Sequence, residues 1–371
     1  MVNGGEQQEV IKGRVVSIDA LRGFDMFWII GGGAIFRGLA KATNNELSEG
    51  LWQQLSHAQW EGFRSWDLIM PLFLFIVGVA MPFAFNKRLQ RGDSRRQLYC
   101  HIIKRTIILF VLGMIAQGHL LEYDLSKLHI YCNTLQAIAA GYLIASIIML
   151  NMRVAWQIIT TTALLLLFWA LMMLVPVPGY GGVALQREAN LALYVDKLIQ
   201  GRFYDGGGYA WILSSITFGC TVMMGVMAGQ LLRSERSGAT KVAWLLAMGA
   251  GCLLVALVWH NWFPIIKRIW SSSFVLFSAG LCYLLLALFY LVIDVWGFKK
   301  WAFGFVVIGM NAISVYMSTH LFDFRHVGNI FVGNLAKWLG QWNDFVQAVA
   351  AFAAIWLILY WMYRKKSFIK I

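Results

Sequence analysis

A histidine and a nearby aspartate are the side chains of this chain best suited to acid–base chemistry. His57 lies in the polar segment 55–62, and Asp67 begins the apolar run that follows. The ordinary pKa of histidine, about 6.5, lets it accept a proton from an amine or a hydroxyl near neutral pH. An isolated loop histidine is more often solvated or capping, and Asp67 occupies a position typical of a helix N-cap. A general base oriented by Asp67 and a purely structural pair both stay open.

Aromatic residues surround this pair. Trp60, Phe63 and Trp66 lie between the histidine and the apolar run, and such residues are typical of the membrane–water interface. The segment is therefore expected to lie on a membrane surface, where Trp60 would line the mouth of a site and contact a substrate.

Charged residues also enter the first apolar run. Asp19, Arg22 and Asp25 are spaced at i, i+3 and i+6, which places them on roughly one face of a helix. Charges inside a membrane span are costly unless they are paired or face a wet cavity. The spacing indicates either an Asp19–Arg22 ion pair or the polar wall of a ligand channel.

Two basic residues, Lys104 and Arg105, enter the third apolar run from a basic loop. They would either report membrane topology or bind the phosphates of a cofactor, because Arg and Lys suit phosphate oxygens.

Other polar side chains are candidates for substrate binding. Asn133 and Gln136 begin a helix, where they would cap it or bind polar groups. Asn311 and His320 belong to the ninth run, where they would join helices or line a cavity.

Several site classes find no support. The histidines form no HxxxH or HExxH pattern and the five cysteines form no CxxC pair, so we expect no metal site and no disulfide framework. There is no Walker motif or GxSxG elbow. The positive charges lie mostly between apolar runs, which argues for topology signals and contacts with membrane lipids, and against a nucleic-acid partner.

The elements that must position these residues are membrane helices. The chain has 371 residues, of which 59% are hydrophobic and 13% charged, whereas soluble domains have roughly 25% charged residues. Apolar runs long enough to span a bilayer predict an all-α polytopic bundle of about ten transmembrane helices in a single domain, residues 1–371. The runs lie near 17–36, 67–86, 102–117, 134–150, 154–175, 209–232, 242–263, 272–295, 301–320 and 345–363.

The distribution of Lys and Arg predicts the orientation of this bundle. These residues concentrate at 87–105 and at the C-terminus, which favours a cytoplasmic side for both termini and for the tail 1–14. The expected location is a bacterial inner membrane. Periplasmic loops are then expected near 37–66, 118–133, 176–208, 264–271 and 321–344.

Six stretches resemble motifs of one family. The chain carries a Ser-x-Asp-x-x-Arg-Gly motif from Ser17, His-Ala-x-Trp-x-Gly from His57, and Asp-Leu-x-x-Pro-x-Phe-x-Phe-Ile-x-Gly from Asp67. Residues 272–276, 309–316 and 363–366 also fit. The family is that of heparan-alpha-glucosaminide N-acetyltransferase and its bacterial relatives, some of which are labelled N-acetylglucosamine-related transporters.

This resemblance implies a donor and a mechanism. It implies acetyl-CoA as a co-substrate bound from the cytoplasm, without a metal, and a sugar acceptor on the far side. His57 matches the histidine to which the family assigns catalysis, as a base in direct transfer or as an acetyl carrier. Asp67 would orient it, Asp19, Arg22, Lys104 and Arg105 would hold the donor, and Trp60, Asn133, Gln136, Asn311 and His320 would contact the acceptor. N- and O-acetylation both stay open, as does a homodimer.

Two other functions compete with the acyltransferase. A secondary transporter for amino sugars would explain the helices equally well, although such proteins often show internal repeats and none is evident here. A structural membrane protein without chemistry would leave the segment around His57 unexplained.

Overall fold

The computed structural model describes residues 15–43, 45–180 and 182–368, and each regular element in these ranges is a helix. Extended backbone occurs there as isolated β-bridges. The predicted all-α class is confirmed. The predicted cytoplasmic tail 1–14 lies outside the described residues, as does Lys370 of the basic C-terminus.

The α-helices are numbered here in chain order. They are α1 Val16–Phe27, α2 Gly33–Thr43, α3 Glu46–Gln54, α4 Ile69–Gln90, α5 Arg95–Ala116, α6 Thr134–Asn151, α7 Val154–Leu174, α8 Leu191–Gln200, α9 Ser215–Arg233, α10 Gly238–His260, α11 Ser272–Tyr290, α12 Phe303–Gly309, α13 Ala312–Leu321, α14 Phe324–Trp338 and α15 Asn343–Arg364. π-helical turns follow α1 at Trp28–Gly32 and α11 at Leu291–Val295, and a 3-10 turn at Ser65–Leu68 leads into α4.

The protein is a multi-pass membrane protein. Eight helices of the described ranges are long and apolar enough to span a bilayer, and the bent pair α12–α13 would make nine. The windows in α4, α9 and α11 are 61–67% buried, whereas those in α5, α7, α10 and α15 are at most 28% buried. The first three therefore form the centre of the bundle and the other four its periphery.

The first predicted span, 17–36, is helical but does not join this group of eight. It begins as α1, leaves helical geometry at Gly31, and continues as α2. Three charged residues lie within α1, which lowers its apolar character. The carboxylate of Asp294 accepts hydrogen bonds from the backbone N–H groups of Val16 (3.2 Å) and Ser17 (3.0 Å). The Asp294 carboxylate therefore pairs with backbone N–H groups in the first turn of α1, at the helix end where a negative charge is favourable.

The ninth predicted run, 301–320, is divided into two helices rather than one. The axes of α12 and α13 differ by 72°. Gly309 ends α12 against α1, where an added Cβ would lie 2.1 Å from the backbone oxygen of Asp19. Asn311 precedes α13, and its side-chain amide donates to the backbone oxygen of Ser367 at 3.3 Å. Close packing and a polar residue thus interrupt a run that is apolar on both sides.

Glycines bring α4 and α9 into backbone contact at the centre of the bundle. A Cβ added at Gly78 would lie 2.0 Å from the oxygen of Val222, and one added at Gly225 would lie 2.0 Å from the oxygen of Phe75. Small residues permit this approach between membrane helices, where van der Waals packing replaces the hydrophobic driving force.

The segments predicted as outer loops contain further helices. Residues 37–66 include the end of α2 and all of α3, residues 176–208 include α8, and residues 321–344 include α14. Helix α9 begins at Ser215 rather than near residue 209, because Asp196 of α8 accepts the backbone N–H groups of Trp211 and Ile212 and holds them outside the helix. The side of the membrane on which these segments lie stays a prediction.

Candidate functional site

The loop that carries His57 is held by two distant segments. The indole N–H of Trp60 donates to the oxygen of Leu185 at 2.9 Å. The backbone N–H of Gly62 donates to the oxygen of Ile265 at 2.9 Å, next to an antiparallel bridge between Glu61 and Ile266. The loop between α3 and α4 is thereby fixed against the loops before α8 and after α10.

Asp67 both caps its helical turn and contacts the histidine. Its Oδ2 accepts the backbone N–H groups of Ala58 (3.1 Å) and Arg64 (3.0 Å), and its Oδ1 lies 2.7 Å from Nδ1 of His57. The carboxylate is fully buried. A carboxylate only accepts hydrogen bonds, so Nδ1 carries the proton and Nε2 of the neutral imidazole carries a lone pair. The capping and orienting interpretations are therefore compatible.

A third residue, Lys267, joins this pair. Its Nζ lies 3.3 Å from Oδ1 of Asp67 and 3.2 Å from Nδ1 of His57. The lysine side chain is only 8% exposed. Burial lowers the pKa of Lys267 from 10.5 to about 8, and the Asp67 carboxylate opposes part of that decrease. The cluster therefore contains one buried anion shared by an imidazole and a buried cation.

Sequence reasoning counted Lys267 only as an outer-loop charge. A signal of burial was nevertheless present in the sequence, because Lys267 lies in the segment 265–270, whose other residues are apolar except for Arg268. Its partner could not be inferred, since 210 positions separate it from His57.

The His57 side chain is 43% exposed whereas Asp67 is inaccessible. The Asp67 carboxylate thus fixes the orientation of the imidazole while part of the ring stays exposed. A general base requires this arrangement, since it must come within hydrogen-bond distance of the proton that it removes.

The residues expected to bind the donor do not share one face. Arg22 lies 3.6 Å from Asp19, which is the predicted ion pair. Lys104 is exposed on the outer side of α5, whereas Arg105 turns inward with its guanidinium 4.5 Å from the ring centroid of Tyr142. Nε of Arg105 and the hydroxyl of Tyr142 are buried without a hydrogen-bond partner among the described residues.

A cavity of about 280 Å³ is lined by residues of the first turns of α5, Arg95, Leu98 and Tyr99, which precede Arg105 on this helix. Phe85 also lines the cavity and packs against Tyr142 at 6.3 Å between ring centroids. Its polar lining comprises Asn86, Arg95, Tyr99, Gln230 and Arg233. Sequence reasoning did not select Arg95 or Arg233, because they lie on α5 and α9 and only the folded bundle places both at one cavity.

Two of the expected acceptor residues meet at Tyr316: the Asn133 amide donates to its hydroxyl at 3.1 Å, and the ring of His320 lies 4.5 Å from its ring, centroid to centroid. Asn133 and Gln136 are fully buried and form the capping box of α6. Asn311 lies at the break between α12 and α13. His320 lines a second cavity of about 540 Å³ between the π-turn after α1, the end of α13 and α15. Trp60 alone shares a loop with His57.

The described residues contain no group of three or more His, Cys, Asp or Glu side chains placed to hold a metal ion.

Comparisons with known proteins agree with the motifs. No protein-family model matches the chain. The chain is 25% identical to heparan-alpha-glucosaminide N-acetyltransferase of Mus musculus and 26% identical to that of Homo sapiens, in each case over 91% of this chain. It spans about three-fifths of these relatives, 60% and 59% of their lengths. These similarities confirm, at the level of the family, the resemblance to heparan-alpha-glucosaminide N-acetyltransferases that the motifs indicate.

Proposed function

We propose that the protein is a transmembrane acetyltransferase that moves an acetyl group from cytoplasmic acetyl-CoA to an amino group or hydroxyl of a sugar on the periplasmic side of a bacterial inner membrane. The observation that carries the proposal is the 2.7 Å contact between His57 Nδ1 and the buried Asp67 carboxylate, with the imidazole exposed in front. The similarity to two named N-acetyltransferases supports the reaction class.

In the proposed mechanism His57 acts as the base. Its Nε2 takes the proton of the acceptor nitrogen or oxygen while that atom forms the new bond to the acetyl carbon. Asp67 stabilises the resulting imidazolium through Nδ1–H, because an adjacent carboxylate favours the charged form. Acetyl-CoA supplies the acetyl group as an activated thioester. The proton then passes from Nε2 to the departing sulfur or to water.

An acetylated histidine is the competing route. In that route Nε2 attacks the acetyl carbon itself and passes the group to the acceptor in a second step. We favour direct transfer, because it avoids a reactive acyl-imidazole beside water. A labelled acetyl group trapped on His57 in the absence of acceptor would decide for the second route.

For the donor we propose the basic end of α5 and the adjoining cavity. The buried and unpartnered Nε of Arg105 and hydroxyl of Tyr142 fit an oxygen-rich ligand, and Arg95 and Arg233 add positive charge to the cavity. Arg22, paired with Asp19, and the exposed Lys104 lie outside the lining of this cavity, and we propose that they add positive charge along the path by which the donor approaches.

Donor binding can be tested with purified protein and immobilised CoA. The double variant Lys104→Ala/Arg105→Ala is expected to weaken binding at least tenfold, and Arg91→Ala, an exposed arginine of the same basic segment, is the control. Unchanged affinity in the double variant would refute this donor site.

The acceptor would approach from the His57 side. Trp60 is the best placed of the expected acceptor residues. We propose Asn133, Gln136, Asn311 and His320 as a more distant lining, with His320 facing the larger cavity.

The central experiment measures transfer of labelled acetyl from acetyl-CoA to a panel of amino sugars by protein in lipid nanodiscs. His57→Ala should abolish transfer while donor binding remains. His326→Ala, an exposed histidine of α14 outside the cluster, should leave transfer unchanged. Transfer by His57→Ala at near the parent rate would refute the assignment of the base.

A secondary transporter for amino sugars remains the second candidate, and the 72° break between α12 and α13 favours it. Discontinuous membrane helices form the substrate sites of many transporters. Uptake of labelled N-acetylglucosamine into sealed proteoliposomes, without any acetyl transfer, would decide for this alternative.

A further inference from the structure

An arginine next to the catalytic cluster has no part in the chemistry described above. Arg268 follows Lys267, and its guanidinium carbon lies 5.2 Å from the ring centroid of Tyr209. Nη1 donates to the backbone oxygen of Gly207 at 3.3 Å. Arginine and tyrosine thus form one wall beside the site, which we call the Tyr209–Arg268 wall.

The other edge of the guanidinium is unused. Nε of Arg268 is buried and finds no hydrogen-bond acceptor in the part of the chain that the structure describes. Buried donors are nearly always satisfied, so an orphan here suggests a partner that arrives with a ligand. The edge formed by Nε and Nη2 is one that arginine can present to a carboxylate or a phosphate with two parallel hydrogen bonds.

The neighbouring loop is built around this arginine. Gly206 and Gly208 adopt positive φ angles of 69° and 70°, which favour glycine. A Cβ at Gly208 would lie 3.1 Å from Nη1 of Arg268. The N–H of Ala210 donates to the backbone oxygen of Arg268 at 2.8 Å, which fixes the wall on both sides.

The wall is also close enough to the cluster to interact with it electrostatically. Burial raises the pKa of Tyr209, and among the charged groups that act on it are Arg268 and the Asp67 carboxylate. The charged groups that act on Tyr209 are Arg268 and Arg187 on the positive side and Asp67 on the negative side. The net charge of this set is positive, which favours an anionic ligand.

We propose that the Tyr209–Arg268 wall selects acceptor sugars that carry an oxyanion, a carboxylate or a phosphate, in addition to the group that is acetylated. This inference rests on the proposed acetyltransferase function. Arg268 binds the oxyanion through its free edge and Tyr209 contacts the sugar ring, so the acceptor amine or hydroxyl is directed toward His57. The acceptor is thus defined as an anionic sugar rather than a neutral one.

The test compares acceptors that differ in charge. Glucosamine is neutral apart from its amine, glucosamine 6-phosphate adds a phosphate, and muramic acid adds a carboxylate. For the parent protein kcat/KM is expected to be at least tenfold higher for one of the charged acceptors than for glucosamine, and the better of the two identifies the oxyanion.

Variants of the arginine should remove this preference. In Arg268→Gln the ratio between charged and neutral acceptors should fall to about one, with kcat/KM for glucosamine changed less than about twofold, and Arg268→Lys should be intermediate. Arg202→Gln is the control, because Arg202 is also stacked on an aromatic ring (Phe203, 4.6 Å) but is exposed. Equal loss for all acceptors, or a parent protein without preference, would overturn the proposal.

A binding measurement separates this inference from the proposed function. His57→Ala protein, which is expected not to transfer acetyl, should bind the preferred charged sugar at least tenfold more tightly than glucosamine. That difference should disappear in His57→Ala/Arg268→Gln. Tight binding of the charged sugar by a parent protein that transfers no acetyl group would overturn the acetyltransferase function and support anion binding by the Tyr209–Arg268 wall. Acetyl transfer without discrimination between charged and neutral acceptors would support the acetyltransferase function and overturn the role of the wall.

Discussion

The buried carboxylate behind the histidine permits the sharpest test of the mechanism. In Asp67→Asn the amide oxygen can still accept the backbone N–H groups of Ala58 and Arg64, which now bond to Oδ2 at 3.1 and 3.0 Å. The amide nitrogen then faces Nδ1 of His57 and donates to it. The imidazole is forced to carry its proton on Nε2, where it cannot accept one from a substrate.

The cost in stability can be bounded from the neighbouring lysine. Removing the carboxylate leaves the Lys267 ammonium without its counter-charge, but the ammonium can lose its proton instead. The pKa of Lys267 is about 8 with the carboxylate present and should be lower without it, so that loss costs at most about 1.4 kcal/mol at pH 7, since one pKa unit corresponds to that free energy. The free energy of unfolding should therefore fall by only about 1–3 kcal/mol, once weaker hydrogen bonds to a neutral acceptor are included.

The cost in activity should be much larger. An Asp-to-Asn change behind the histidine of a Ser-His-Asp triad lowers kcat by about 10⁴ through the wrong tautomer. We expect a loss of about 10³–10⁴ here as well. Asp67→Ala should be less stable than Asp67→Asn by roughly 1–3 kcal/mol for each buried N–H group left unpaired.

The assay combines acetyl transfer in nanodiscs with thermal unfolding monitored by tryptophan fluorescence. Asp196→Asn is the control for stability, because this buried aspartate of α8 also accepts two backbone N–H groups, one on each oxygen, at 2.7 and 2.9 Å. Its amide nitrogen would face one of these N–H groups, so this variant should lose at least as much stability as Asp67→Asn and keep its activity. If Asp67→Asn retained more than a tenth of the parent activity, the orienting role of Asp67 would be wrong.

Three further predictions concern the lysine, the packing and the topology. The pKa of Lys267 is lower in the folded protein (about 8) than its ordinary value of 10.5, so the unfolded chain binds more protons between these pH values and the free energy of unfolding should rise with pH across that window. Lys267→Met should abolish this rise in denaturation measurements at several pH values, and an unchanged pH dependence in the variant would contradict the prediction. Gly78→Ala places a Cβ 2.0 Å from the oxygen of Val222 and should lower the unfolding temperature by several degrees, whereas Gly251→Ala, with nothing within 4 Å, should not; equal melting temperatures would count against the close approach of α4 and α9. In a protein with the exposed Cys100 changed to serine, Asp93→Cys should react with an impermeant maleimide only after the cells are opened, and labelling of intact cells would reverse the predicted orientation.

Features that depend on local pattern were predictable from the sequence. The apolar runs predict eight spanning helices of the described ranges, because length and hydropathy suffice for that purpose, whereas the first and ninth runs are interrupted in the structure. The capping roles of Asn133 and Gln136 were among the interpretations considered, since a capping box is a property of neighbouring residues. The contact between His57 and Asp67 lies within one loop and agrees with their closeness in sequence.

Features that depend on distant packing were not predictable. The break near Asn311 interrupts a run that is apolar on both sides, and it follows from the close approach of Gly309 to α1. The inward turn of Arg105 and the outward position of Lys104 depend on the rotation of α5 against α6, which two adjacent basic residues do not reveal. The burial of Lys267 against Asp67 joins residues from opposite halves of the chain.

The interlocked loops have a consequence for biogenesis. His57 leaves the ribosome 210 residues before Lys267 of its cluster, and its loop bonds to Leu185 and Ile265, which also follow it. A nascent chain that ends within α10, before Ile265, therefore holds a histidine loop without one of its two supports and an aspartate without its cation. The cluster around the proposed base is therefore complete only after Lys267 has been synthesised, and a translation product truncated within α10 would lack it.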